Sequence, residues 1–176
     1  GEALGAFRLQ RSALETDSAE FVEKWSRGAG QGSSSDPPPE GPLFKRVFIG
    51  RSGDGGRKWT GLRPLETEDG TSVLEFGECH GQLLQVPDGR VVLVHDRRYP
   101  YERSAIRARI SHDDGLTWSS EVYHLIDGMG YPASVALEDG TIVTVTGCTR
   151  TDDRAEPVEP WSAVALRWKL PSVAGS

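Results

Sequence analysis

Two aspartates in this chain stand in matching surroundings. Asp54 lies in Ser52-Gly53-Asp54-Gly55-Gly56-Arg57-Lys58-Trp59 and Asp113 in Ser111-His112-Asp113-Asp114-Gly115-Leu116-Thr117-Trp118, so both segments read Ser-x-Asp-x-Gly-x-x-Trp. A carboxylate repeated in this way could serve as a catalyst or a metal ligand. A calcium loop needs further carboxylates at fixed offsets, and neither copy has them at that spacing. Turn chemistry accounts for all four fixed residues. Ser and Asp side chains accept hydrogen bonds from backbone N–H groups a few residues on. Gly supplies a positive φ at little steric cost. Trp brings a large apolar body with one N–H that wants a partner when buried. The pattern predicts a tight turn pinned to the core by its Trp.

The remaining chemistry-capable residues are few. Cys79 and Cys148 have no metal-ligand spacing. They read as partly buried free thiols, with a disulfide as the alternative. Of His80, His95, His112 and His124, the last two fall on a predicted outer hairpin and face solvent. No metal or other cofactor is expected.

The elements that must position these side chains are strands. Residues 44–49 (FKRVFI) precede the first turn; 106–110 (IRARI) precede and 121–126 (EVYHLI) follow the second. A second repeat is nested in the first. Residues 82–94 and 132–145 each hold an apolar run, an Asp-Gly pair and another apolar run, which is a strong hairpin signal. Asp88-Gly89 and Asp139-Gly140 are 51 positions apart, and the Ser-x-Asp copies are 59 apart. Two motifs recurring together predict a supersecondary unit of about 50–60 residues. The unit reads as four strands, the blade of a β-propeller.

Residues 80–126 make one complete blade, and 43–67 the outer hairpin of the blade before. Residues 131–169 give an inner hairpin and a third strand, 163–168 (AVALRW). The expected fold is therefore all-β, with about two and a half four-stranded blades in residues 43–176. A propeller needs about four blades to close. The chain reads as part of a protein, with a missing propeller half or a partner chain completing it.

Residues 1–42 stand apart. Residues 15–26 have a short helical spacing through Phe21, Val22 and Trp25. Residues 27–42 (RGAGQGSSSDPPPEGP) are Pro/Gly/Ser-rich and read as a linker. A hydrophobic content of 36%, with 21 Gly and 11 Pro, suits a turn-rich all-β protein. The net charge of −6, with no basic stripe, weighs against a nucleic acid partner. No apolar run approaches the roughly 20 residues of a membrane span.

The turn pattern resembles the Asp box of sialidases and their BNR-repeat relatives. The likeness extends through Gly77-Glu78-Cys79-His80-Gly81-Gln82-Leu83-Leu84, Pro87-Asp88-Gly89-Arg90, Arg97-Arg98-Tyr99-Pro100 and Gly130-Tyr131-Pro132. It covers residues 43–170 and implies the C-terminal half of a six-bladed sialidase-like propeller. The implied activity is exo-acting glycoside hydrolysis of sialic-acid-like terminal sugars, without a metal. In that family three Arg clamp the substrate carboxylate, a Tyr assisted by a Glu is the nucleophile, and an Asp is the acid/base. A neutral phenol suits this task, because a carboxylate nucleophile would be repelled by the substrate's own carboxylate.

By this resemblance Glu78 takes the catalytic Glu's place and Arg97 the second Arg's, with Arg98 as the alternative. Arg103 resembles the third Arg, with Arg107 behind it. The Tyr is expected just after residues 141–145, where this chain has Thr146-Gly147-Cys148. Arg8 and Arg11 are the candidates in residues 1–42 for the first Arg. Tyr131 and His80 are expected to pack rather than touch ligand. Two functions follow: a sialidase-like hydrolase or fragment of one, and a catalytically silent propeller that binds acidic glycans or a protein partner.

Overall fold

The computed structural model describes residues 1–26, 43–98, 104–128, 130–148 and 162–172. The regular structure of the described residues is almost wholly strand, arranged as three antiparallel sheets. The first contains β1 (Ala3–Ser12), β2 (Leu43–Ser52) and β3 (Thr60–Arg63) in that order. The second contains β4 (Glu78–Gln85), β5 (Val91–Arg97), β6 (Ala105–Ser111) and β7 (Tyr123–Asp127), also in chain order. The third contains β8 (Ala133–Ala136), β9 (Ile142–Cys148) and β10 (Ser162–Trp168). One helix, α1 (Ala19–Ser26), follows β1.

The two sequence repeats are repeats of structure. In the second sheet Gln82 pairs with Val94 and Leu84 with Val92. In the third, Ala133 pairs with Val145 and Val135 with Val143, the same register 51 residues on. Both hairpins turn on the predicted Asp-Gly pair. The Gly89 N–H donates to Val86 O at 2.9 Å, and the Gly140 N–H donates to Leu137 O at 2.9 Å. The Ser-x-Asp turns also match. Ser52 Oγ and Ser111 Oγ donate to Asp54 and Asp113 at 2.8 and 2.7 Å. The same hydroxyl oxygens accept the Gly56 and Gly115 N–H groups at 2.8 Å. Both glycines have positive φ, 89° and 80°.

The opening segment is not separate from the sheets. Residues 3–12, grouped with the linker in the sequence reading, form a strand paired with β2 over ten positions. Ala3 faces Ser52, the first residue of one turn, as Val91 faces Ser111, the first of the other. Hence β1 holds in its sheet the place that β5 holds in the second. Arg8, Gln10, Arg11 and Ser12 fill most of its second half and break the period-two pattern that would have marked a strand.

Apolar alternation in the second sheet explains how the three stack. Val91 and Leu93 enter a cluster with Val47, Ile49, Leu65 and Trp118, against the first sheet. Val92 and Val94 enter another with Ile106, Ala108 and Ile142, against the third. A strand covered on both faces is apolar at successive positions. Each such side chain contributes about 1.5–3 kcal/mol by leaving water.

Candidate functional site

A polar cluster forms where the three sheets meet, and a bulge creates it. The pairing of β4 with β5 starts at Glu78–Arg97 and Cys79–Asp96, then shifts before Gln82–Val94. His80 sits in the shift with φ of 51°, a conformation uncommon outside glycine. Bulges of this kind re-aim side chains. At the next position a Cβ would lie 2.9 Å from Leu93 and 3.0 Å from Val47. Gly81 thus lets the strand pass close to its neighbours.

The bulge turns the imidazole onto Asp96. His80 Nδ1 lies 3.0 and 3.1 Å from the two carboxylate oxygens, and Asp96 is fully buried. Arg98 Nε donates to Asp96 Oδ2 at 2.8 Å. On the other side of the ring, Arg8 Nη1 lies 3.1 Å from His80 Nε2. A guanidinium only donates, so Nε2 is the acceptor. The ring is then neutral, with its proton on Nδ1 and donated to Asp96. Tyr131, in the segment entering β8, completes the cluster. Its ring centroid lies 4.4 Å from that of His80, and Arg98 Cζ stands 4.8 Å from it. The tyrosine is 61% exposed.

Each sheet therefore contributes: Arg8 from the first, His80, Asp96 and Arg98 from the second, Tyr131 from the approach to the third. Two guanidinium groups face one buried carboxylate, which leaves the cluster net positive. Burial alone would lower the Arg98 pKa, but the charge and hydrogen bond of Asp96 raise it above the ordinary arginine value. Arginine forks suit carboxylates because two parallel N–H bonds can form. The arrangement can receive an anion beside an aromatic ring, with a histidine nitrogen between.

Cys79, His80 and Asp96 also offer three ligand atoms within 4.8 Å of one another. The surroundings do not suit a cation. Arg98 and Arg8 already occupy the carboxylate and Nε2. Burial and the Asp96 charge push the Cys79 thiol far above its usual pKa, whereas a metal takes the thiolate. Cys79 is free and buried.

The residues predicted from sequence divide between two places. Arg98 lies in the cluster just described. Glu78, Arg97 and Arg107 lie on the other face of the second sheet, with His95 and Arg109, as strand alternation and register require. Glu78 is 2% exposed. Its Oε2 accepts the Glu75 N–H at 2.6 Å, and its Oε1 lies 3.6 Å from Arg107 Nη1. Arg97 lies 3.8 Å from Glu75 Oε2. Burial lowers the pKa of Arg46, Arg107 and Arg109, and Glu78 raises it in each. Glu78 is thus a counter-charge for the buried Arg109 and the half-buried Arg46 and Arg107. Arg103 lies outside the described residues, as do Tyr99 and Pro100. Thr146 is buried, and its hydroxyl donates to Gly147 O at 2.8 Å.

Sequence reasoning missed Asp96 and misjudged Tyr131, which is exposed rather than packed in the core. The available signal for Asp96 was an acidic residue soon after the apolar run 91–94 of β5. Arg11 pairs with Asp17 at 2.6 Å, which leaves Arg8 as the arginine of β1 that reaches the cluster.

No family model matches the chain, and no curated protein matches it. Among solved structures, it is similar to a protein of unknown function from Dyadobacter fermentans, with a TM-score of 0.55 and 19% identity. The match covers 92% of this chain and 47% of that one, so the chain spans about half the length of this neighbour. At this identity the likeness speaks for the fold alone.

Proposed function

We propose that the chain binds the carboxylate of an acidic glycan, of the sialic-acid-like kind, at the Arg8–His80–Arg98–Tyr131 cluster. The observation that carries this reading is the convergence of two arginines and an exposed tyrosine on one half-buried histidine held by a buried aspartate. We further infer that the sheets are successive blades of a sialidase-like propeller. The repeated hairpin register and the two stacked cores support it.

A hydrolytic reading has one observation in its favour, the pairing of Glu78 with Arg97. Against it stand a buried Glu78 and a threonine at the place expected for the nucleophile. Titration calorimetry with sialic acid and with acidic oligosaccharides tests the binding reading. Arg98→Ala is expected to weaken binding by 10-fold or more, taking about 1.5–3 kcal/mol for a charged hydrogen bond, and Arg8→Ala by less. Unchanged affinity in both variants overturns it. Release of product from a fluorogenic sialoside would instead establish hydrolysis.

A further inference from the structure

We propose that the cluster is a catalytic site for β-elimination on uronate-containing glycans, with His80 as base and Tyr131 as acid. The inference rests on the acidic-glycan reading and adds a reaction to it. Elimination beside a carboxylate needs three groups: a charge to neutralise the carboxylate, a base for the proton on the α carbon, and an acid for the leaving oxygen. The cluster holds each of them. Arg8 and Arg98 supply the charge.

His80 has the state a base needs. Its Nε2 accepts from Arg8 at 3.1 Å, so the lone pair is on that nitrogen and points at Arg8, itself an exposed residue. Asp96 holds Nδ1–H from behind at 3.0 Å, which orients the ring and stabilises the imidazolium that forms. A substrate carboxylate that draws the Arg8 guanidinium to itself uncovers Nε2. The charged and titratable groups facing the imidazole are Arg8 of β1, Cys79 of β4, Asp96 of β5 with Arg98 just past its end, and Tyr131. The positive φ of His80 is local strain that the surrounding packing maintains.

The step balances without water or an oxidant. Nε2 takes the proton α to the carboxylate, and the freed electron pair forms a double bond to the β carbon. The bond from the β carbon to the glycosidic oxygen breaks. That oxygen takes the Tyr131 hydroxyl proton and leaves as an alcohol. Solvent then returns a proton to tyrosine and removes one from histidine.

The test incubates the full chain with oligogalacturonate and oligomannuronate. Three readouts are followed: binding by calorimetry, the ultraviolet absorbance of the conjugated unsaturated acid, and deuterium exchange at the α carbon in heavy water. Wild-type chain is expected to give the absorbance. His80→Gln should bind and lose at least ~100-fold in rate, the usual worth of a positioned base. Tyr131→Phe, at an exposed position that folding does not need, should keep exchange and lose elimination. Asp96→Asn should shift the pH profile. Uronate binding with neither absorbance nor exchange overturns the proposal and leaves the binding function standing. Binding of sialic acid but not of uronate does the same. Failure to bind any acidic sugar overturns both. Turnover unchanged in His80→Gln overturns the assignment of the base.

Discussion

At the scale of single residues, the chain uses ionisable groups in two distinct ways. In the His80 cluster they meet at a surface that a ligand can reach. In the layer around Glu78 that residue, His95 and Arg109 are buried between sheets, while Arg97 and Arg107 stay half-buried. A buried pair broken at one member costs about 3–5 kcal/mol. Glu78→Gln is therefore expected to lower the unfolding free energy by roughly 3 kcal/mol, measured by urea denaturation. His95 belongs to the same layer and is fully buried. Burial holds its pKa below the ordinary 6.5. Below that pH the unfolded chain binds a proton that the folded one does not, so stability falls as the solution is acidified. His95→Gln is expected to flatten the decline that begins near pH 6.5, by up to about 1.4 kcal/mol per pH unit; a slope equal to wild type would contradict this. The sequence showed that Glu78 and Arg97 flank one hairpin. It could not show that a bulge in β4 would aim His80 at Asp96 and so draw the cluster to the Arg98 side of the hairpin.

At the scale of elements, the turns and hairpins were legible because their chemistry is local. Ser, Asp and Gly at fixed offsets bond to their own backbone. Nothing distant is needed to read them. The two turns nevertheless differ in what their tryptophans reach. Trp118 is 2% exposed in the core between the first and second sheets. Trp59 stacks edge-on against Phe7 at 5.0 Å and stays half-buried. Trp118→Ala is expected to cost about 3–5 kcal/mol, and Trp59→Ala much less, as read from paired denaturation curves. Strand β1 was illegible for the opposite reason. Its pairing with β2 crosses the 27–42 segment, and no local residue announces it. The approach to β8 is tighter still. A Cβ on Gly130 would collide with Gly147 O and Thr146 Oγ1. Gly130→Ala is expected to displace Tyr131 and weaken acidic-sugar binding while leaving the second sheet's hydrogen exchange unchanged.

At the scale of the molecule, the repeat has an uncovered end. Val135, Leu137 and Val145 are 54%, 36% and 50% exposed. In the second sheet their counterparts 51 residues earlier are Leu84, Val86 and Val94, which pack against the third sheet. The third sheet thus offers solvent the face that the second buries. Concentration-dependent self-association is expected in ultracentrifugation, and Val135→Lys with Val145→Lys should suppress it. The stacking of sheets was legible from the repeat. What lies beyond the last one was not, because an exposed face and a covered one carry the same apolar code. At the opposite end of the stack, the outer face of the first sheet has an optical property of its own. Trp118 emits from a dry interior and reports on folding. Trp59 waits half-wet on the far side of the first sheet. A blue shift confined to the signal that Trp59→Phe removes would record the arrival of a neighbour on that face while the rest of the protein stays unchanged.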